Sequence, residues 1–192
     1  MTRPRRTVSY QPVLHSVPLA FPEFPWSNRQ RAVLTSDECD ELVEWAQRTG
    51  RYRKASSQLD CKVEICELRP RDLSWPFERF ANAFVHANVW RLSLSGITHP
   101  LRILRYHRGG YSGRHSDLDY KTADHSKITA IVPLVSRSSW SGGRLIVSSD
   151  ATPRCEKGDA VFFPSFAMHE VTKVTRGTRT VLAAWVSGPP LS

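Results

Sequence analysis

The chain has 192 residues, 40% of them hydrophobic and 23% charged, which is the balance of a globular domain with enough length to bury one sizeable core. No apolar run reaches membrane-spanning length, and no apolar stretch follows the basic N-terminus, so neither a spanning helix nor a secretory signal is expected. The net charge is +9, but five arginines against the single acid Glu23 fall within residues 1–31. The remaining charge is scattered without a run of five like charges, which disfavours a nucleic-acid partner.

Residues 1–30 contain Pro4, Pro12, Pro18, Pro22 and Pro25 and few periodic apolar positions. They read as an irregular basic, proline-rich extension laid against the domain through Phe21, Phe24 and Trp26, with the domain itself spanning 31–192. Thr35-Ser36-Asp37-Glu38 has the form of a capping box. Cys39, Leu42, Val43 and Ala46 follow at helical spacing, and Gly50 ends the helix. A second helix starts near Ser74 and Pro76, its apolar face drawn from Phe77, Phe80, Ala81, Phe84 and Val85. Between them Cys61, Val63 and Ile65 alternate as in a strand. The four cysteines, Cys39, Cys61, Cys66 and Cys155, show no CxxC spacing and read as reduced thiols of a cytoplasmic protein.

From Trp90 onward the helical period gives way to short β-rich runs: Arg91–Ser95, Leu101–Tyr106, Ile128–Val135, Arg144–Ser149, Ala160–Phe163, Glu170–Val174 and Thr178–Val186. Gly109-Gly110, Ser141-Gly142-Gly143 and Lys157-Gly158-Asp159 separate them as turns. Two helices followed by many short strands predict a mainly β fold, a sandwich or barrel with helices on its outside.

Thr175-Arg176-Gly177 is turn chemistry between two β runs, which predicts a hairpin with His169 on one arm and Arg179 on the other. Arg179, Val181, Ala183 and Trp185 share parity and face one side of the strand. Upstream, His115 and Asp117 stand two positions apart and reach the same side of an extended segment. Two imidazoles and a carboxylate form a facial triad that leaves coordination positions open and suits non-haem Fe(II). Each of these residues alone has an ordinary structural reading, as a packed or surface side chain. The combination and its order carry the signal.

In these residues the sequence resembles the 2-oxoglutarate/Fe(II)-dependent dioxygenases, specifically their prolyl-4-hydroxylase-like branch. The resemblance covers roughly residues 33–188, most closely Leu101–Asp117, Ser126–Val147 and Lys157–Gly188. It implies a double-stranded β-helix, or jelly roll, with two supporting N-terminal helices. It implies His115, Asp117 and His169 as ligands of Fe(II), and Arg179 as the partner of the distal carboxylate of 2-oxoglutarate, helped by the hydroxyls of Tyr106 and Thr129. Arginine suits that role because its planar fork grips a carboxylate bidentately and keeps its charge. Trp185 would stand by the metal pocket. The activity implied is an O2-dependent hydroxylation of a C–H bond in a small molecule, amino acid or peptidyl side chain, with release of succinate and CO2.

Two other readings stand beside it. One is a jelly-roll protein that binds metal without catalysis, for which a degraded triad or a missing Arg179 would be the sign. The other is a nucleic-acid demethylase, a branch that carries a second arginine six residues beyond the first, where this chain has Trp185. Substrate recognition is expected from the segments Asp119–Lys127 and Ser136–Ser141, each polar with one aromatic, Tyr120 and Trp140.

Overall fold

The computed structural model describes residues 24–56, 60–118 and 125–189; Tyr120 and residues 1–23, and with them most of the proposed extension, lie outside the described residues. Two helices, α1 (Ser36–Thr49) and α2 (Trp75–Ala87), precede most of the strands. The early strands are β1 (Asn28–Gln30), β2 (Arg53–Lys54), β3 (Cys61–Lys62) and β4 (Glu64–Leu68). The central ones are β5 (Leu101–Tyr106), β6 (Tyr111–His115), β7 (His125–Pro133), β8 (Trp140–Gly142), β9 (Leu145–Val147) and β10 (Asp150–Ala151). The last are β11 (Ala160–Pro164), β12 (His169–Val171), β13 (Val174–Gly177) and β14 (Arg179–Gly188).

These strands form a seven-stranded sheet in the order β1-β11-β7-β14-β5-β4-β2, a five-stranded sheet β10-β9-β12-β6-β3, and a short pair β13-β8. Every pairing is antiparallel. The expected jelly roll with two supporting helices is the fold found.

The period of two along the strands sorts side chains onto two cores. Ile128, Ala130 and Val132 of β7, Phe162 of β11, and Leu182 and Ala184 of β14 pack with Leu34, Leu42, Phe80 and Phe84 on the helical side. Their alternates, Val161, Phe163 and Val181, pack with Tyr106, Leu145, Val147 and Val171 between the sheets. The large sheet is therefore covered on both faces, and its central strands read as nearly continuous apolar runs. The inner layer is where the functional residues collect.

Helix α1 follows its sequence signals closely. The Thr35 hydroxyl accepts from the Glu38 amide, the Glu38 carboxylate accepts from the Thr35 amide, and Gly50 closes the helix at φ 61°. Helix α2 is rotated from expectation: Pro76, Phe80, Ala83, Phe84 and Ala87 are buried, whereas Ala81 faces out and Val85 is 68% exposed.

Three other expectations are corrected. Arg91–Ser95 is not a strand, because Asn88 satisfies both backbone groups of Leu92 through its side chain and Arg91 sits at φ 54°. The hairpin does not form either. His169 and Arg179 lie in different sheets, and Val174–Gly177 between them is itself a strand, paired with β8. Finally, Asn28–Gln30 pairs with β11, so the large sheet begins ahead of residue 31.

The chain entering α1 is fastened to the Lys157–Asp159 turn. Gly158 is at φ 85°, and any Cβ there would collide with the Leu34 carbonyl, which accepts no substitute for glycine at that approach. Asp159 accepts from the Arg29 guanidinium (2.5 Å) and from the amides of Ala32 and Glu156 (both 3.1 Å). Burial alone would raise the Asp159 pKa, but these three hydrogen bonds outweigh it and hold the carboxyl below its ordinary value. A depressed carboxylate stabilises the fold above its unfolded pKa, and that stability is lost as pH falls through the folded pKa. Asp159→Asn is therefore expected to cost about 1.5–3 kcal/mol at pH 7, the scale of hydrogen bonds to a charged group. In urea unfolding, the difference from wild type should shrink as pH falls below about 4.

Candidate metal centre

His115 ends β6, His169 opens β12, and the two are register partners across that antiparallel pair. Their rings stand side by side with centroids 4.2 Å apart. Asp117 lies just past the strand, where its amide donates to the Ser165 carbonyl (2.9 Å) and the chain bends back toward His169. Asp117 Oδ1 is 3.6 Å from His115 Nε2, and Oδ2 is 3.5 Å from His169 Nε2. One ligand atom from each of the three lies within 4.8 Å of the others.

The outer contacts fix which atoms face inward. His115 Nδ1 is 2.7 Å from the Gly113 carbonyl and His169 Nδ1 is 3.0 Å from the Ala167 carbonyl. A carbonyl only accepts, so each Nδ1 carries a proton and each ring turns its Nε2 toward Asp117. Burial lowers the His169 pKa, with Asp117 pulling the other way, which favours the neutral ring. Two imidazole Nε2 atoms and a carboxylate oxygen thus converge, the ligand set of a metal cation. Buried Thr129 donates to Asp117 Oδ2 (2.7 Å), and its oxygen lies 3.0 Å from the Ser165 hydroxyl.

That contact corrects the expectation for Thr129. It is the cross-strand neighbour of Trp185, six residues along β14 from Arg179, and six residues of strand span about 20 Å. Thr129 supports the carboxylate of the triad and cannot reach a group held by Arg179.

Arg179 starts β14 opposite Tyr106 and is 4% exposed. Its side chain passes Gly143, where a Cβ would come within 2.9 Å of Arg179 Cδ. The Tyr106 ring lies 5.1 Å from the guanidinium carbon and the Trp140 ring 5.6 Å. Burial lowers the Arg179 pKa and raises that of Tyr106, while their nearness partly offsets both effects. Among the described residues, Arg179 Nε and Nη1 and the indole Nε1 of Trp140 are buried donors without a hydrogen-bond partner. Unmade bonds of this kind cost about 1–3 kcal/mol each, more for a charged group. They are donors waiting for an acceptor, and a carboxylate between Arg179, Trp140 and Tyr106 would satisfy them.

Arg179 separates two cavities that share Ile131 and Leu145. The inner one holds His115, Asp117, His169, Tyr106, Val181, Ala183 and Trp185. The other is lined by Arg137, Trp140, Arg144 and Arg154 and contains no acid among its described lining residues. Arg137 lies 3.7 Å over the Trp140 ring. Trp140 was expected in a solvent-facing recognition loop; it is instead buried behind Arg179. A lone tryptophan among serines before a Gly-Gly turn was the available clue, since so large an apolar ring is rarely left in water. Residues 137–139 form a 3-10 turn and Trp140–Gly142 is a strand, so little of the second predicted segment is free loop; of the first, residues 119–124 lie outside the described residues and His125–Lys127 begin β7. The donor set suits a divalent metal, and the orphaned cations beyond it suit an acid: the residues fit both Fe(II) and a dicarboxylate.

A jelly roll with a candidate mononuclear centre of two histidines and one carboxylate defines the class. Residues 101–187 match the model of the 2OG-Fe(II) oxygenase superfamily. A PKHD-type hydroxylase of Picosynechococcus sp. is 33% identical over 91 residues, which cover 46% of this chain and 42% of that protein. A PKHD-type hydroxylase of Prochlorococcus marinus is 24% identical over 143 residues, covering 72% and 65%. The alignments with the Picosynechococcus protein and with a relative from Idiomarina loihiensis span less than half of those proteins. Among solved structures, a Pseudomonas putida prolyl-4-hydroxylase superposes with a TM-score of 0.69 at 18% identity, covering 86% of this chain and 94% of that one. A viral collagen prolyl hydroxylase from Paramecium bursaria Chlorella virus-1, in complex with 2OG, gives 0.67 at 16% identity, covering 85% and 96%. No helix among the described residues is long and apolar enough to cross a membrane.

Proposed function

We propose that this chain is an Fe(II)- and 2-oxoglutarate-dependent hydroxylase, with residues 31–192 and the β1 strand ahead of them as its catalytic unit. The observation that carries the reading is the convergence of one ligand atom each from His115, Asp117 and His169 in one cavity with the unpartnered donors of Arg179. When bound, the iron and 2-oxoglutarate together turn O2 and a C–H bond into an alcohol, succinate and CO2.

In this reading His115, Asp117 and His169 would hold the metal through two imidazole nitrogens and one carboxylate. Arg179 grips the distal carboxylate, and the Tyr106 hydroxyl and Trp140 Nε1 complete its hydrogen bonds. Val181, Ala183, Ile131 and Leu145 line the path between and keep water from the acid. Trp185, half-buried on the same strand face, stands at the substrate side. The substrate is a small molecule, amino acid or peptidyl side chain, and the four free thiols support a reducing, cytoplasmic setting. A metal-binding protein without catalysis is the weaker reading, because the triad and Arg179 are all present in one cavity. A nucleic-acid demethylase is weaker still, with Trp185 where that branch has its second arginine.

The test is succinate formation by purified protein given Fe(II), 2-oxoglutarate and O2, which should occur slowly even without substrate. A protein that binds metal yet forms no succinate would favour the non-catalytic reading.

A further expected result concerns Thr129. Removing an outer hydrogen bond to a metal ligand typically costs ten- to a hundredfold in affinity. Thr129→Val keeps the shape and drops the donor to Asp117, so Fe(II) affinity in equilibrium dialysis should fall by about tenfold while 2-oxoglutarate affinity of the metal-saturated protein changes less.

A further inference from the structure

The inner cavity contains a second cation that the proposed chemistry does not use. Arg102 stands on the inner face of β5, opposite Ala183, and lines the same cavity as His115, Asp117 and His169. Its guanidinium lies 5.3 Å from the ring centre of Trp185, a geometry that fixes the plane of the fork against the indole face.

The Arg102 side chain is 44% exposed, and no carboxylate among the described residues accepts a hydrogen bond from its Nε. The nearest carboxylate is Glu67, the cross-strand partner on β4, but Arg102 Nε is 4.0 Å from Glu67 Oε1, too far for a hydrogen bond. Glu67 is already committed, with Oε1 accepting from Arg53 (2.7 Å) and Oε2 from Arg69 (3.2 Å). Three guanidinium groups therefore share one carboxylate. Arg102 Nε is buried and has no hydrogen-bond partner among the described residues. Among the described residues, the only acid lining the cavity is Asp117, which the metal would occupy.

Arg105, three residues on, provides the contrast. It faces away from the cavity, bonds Glu64 through Nε (2.8 Å) and Nη2 (2.7 Å), and stacks over Tyr52 at 3.8 Å. That is an arginine satisfied by its own fold. Arg102 leaves its buried Nε unfilled, in the cavity that holds His115, Asp117 and His169.

We propose that the substrate carries a free carboxylate, held by the Nε–Nη edge of Arg102 against the face of Trp185, close to the carbon that is oxidised. This rests on the hydroxylase reading and narrows its substrate to acids such as free amino acids, rather than neutral residues within a peptide. A carboxylate is planar and meets the guanidinium edge with two parallel hydrogen bonds, whereas an amide offers one acceptor and a clashing donor.

The experiment measures substrate-stimulated succinate formation by the full chain, saturated with Fe(II) and 2-oxoglutarate. The probes are the free L-amino acids, each compared with its own carboxamide, and O-phospho-L-serinamide as a phosphate without a carboxylate. At least one free acid should stimulate succinate formation, with its carboxamide weaker by about tenfold or more, and the phosphate inert. Arg102→Met should raise the half-saturating concentration of that acid by about tenfold with a smaller change in the KM for 2-oxoglutarate, and Arg102→Lys, which keeps charge without the fork, should fall between. The proposal is overturned if carboxamides match their acids, if no acid stimulates, if the phosphate alone does so, or if Arg102→Met leaves the acid's half-saturation unchanged. Failure of wild-type protein to form any succinate, substrate present or absent, is a separate result that removes the hydroxylase reading and this one with it.

Discussion

Alanine at His169 or at Asp117 is expected to abolish tight Fe(II) binding and the conversion of 2-oxoglutarate to succinate. The two residues hold the triad together: Asp117 lies within 3.6 Å of both imidazoles, and His169 is the buried member, packed 4.7 Å from Phe163. With only three protein ligands, losing one leaves two donors and a second partner stripped of its purpose. The variants should fold, since neither side chain belongs to the helical-side core. Equilibrium dialysis of each variant against Fe(II) under reducing, anaerobic conditions checks the first effect and succinate assay the second. Metal retention and turnover at wild-type levels in either variant would mean that the centre is elsewhere.

The second large effect is expected at Arg179. Removing one partner of a buried, hydrogen-bonded charge pair costs about 2–5 kcal/mol in binding, and about 1.4 kcal/mol is tenfold. Arg179→Ala should therefore weaken 2-oxoglutarate by at least about an order of magnitude, while Fe(II) affinity changes far less. The arginine-lined cavity sharpens the prediction. Arg137 stacks on Trp140 within the same cavity that Arg179 lines, and its nearness adds to the repulsion that burial already imposes on the Arg179 charge. A dicarboxylate relieves that repulsion, so the loss should exceed what one exposed ion pair would give. Trp140→Phe, which keeps the ring and drops the unpartnered Nε1, should give a smaller loss of 2-oxoglutarate affinity in the same titration. Equal losses of iron and 2-oxoglutarate in Arg179→Ala would instead mark the arginine as structural.

Much of this site was legible in the sequence because its signals are local. HxD needs only two positions on one side of an extended segment, and the parity of Arg179, Val181, Ala183 and Trp185 follows from the strand period alone. All four line the inner cavity. Helix α1 was equally legible, since a capping box and a left-handed glycine are written within a few residues of its ends.

Non-local pairing was not legible. Thr175-Arg176-Gly177 has the composition of a turn, yet it pairs with Trp140–Gly142, and the strands on either side of it join opposite sheets. Turn chemistry says that the chain changes course and does not say which strand will satisfy its backbone. Thr129 failed for the same reason: its distance from Arg179 depends on the β7–β14 register, which no local pattern records. Trp140 and Arg137 were missed as neighbours of Arg179 because a polar loop and the lining of a cationic pocket share one composition until the chain folds.

The central claim is that one dicarboxylate spans the metal triad and Arg179, and anaerobic calorimetric titration of 2-oxoglutarate tests it most directly. The account predicts one 2-oxoglutarate per chain when Fe(II) is bound, much weaker binding without metal, and a further loss in Arg179→Ala. Binding equally tight in the presence and absence of Fe(II) would contradict it.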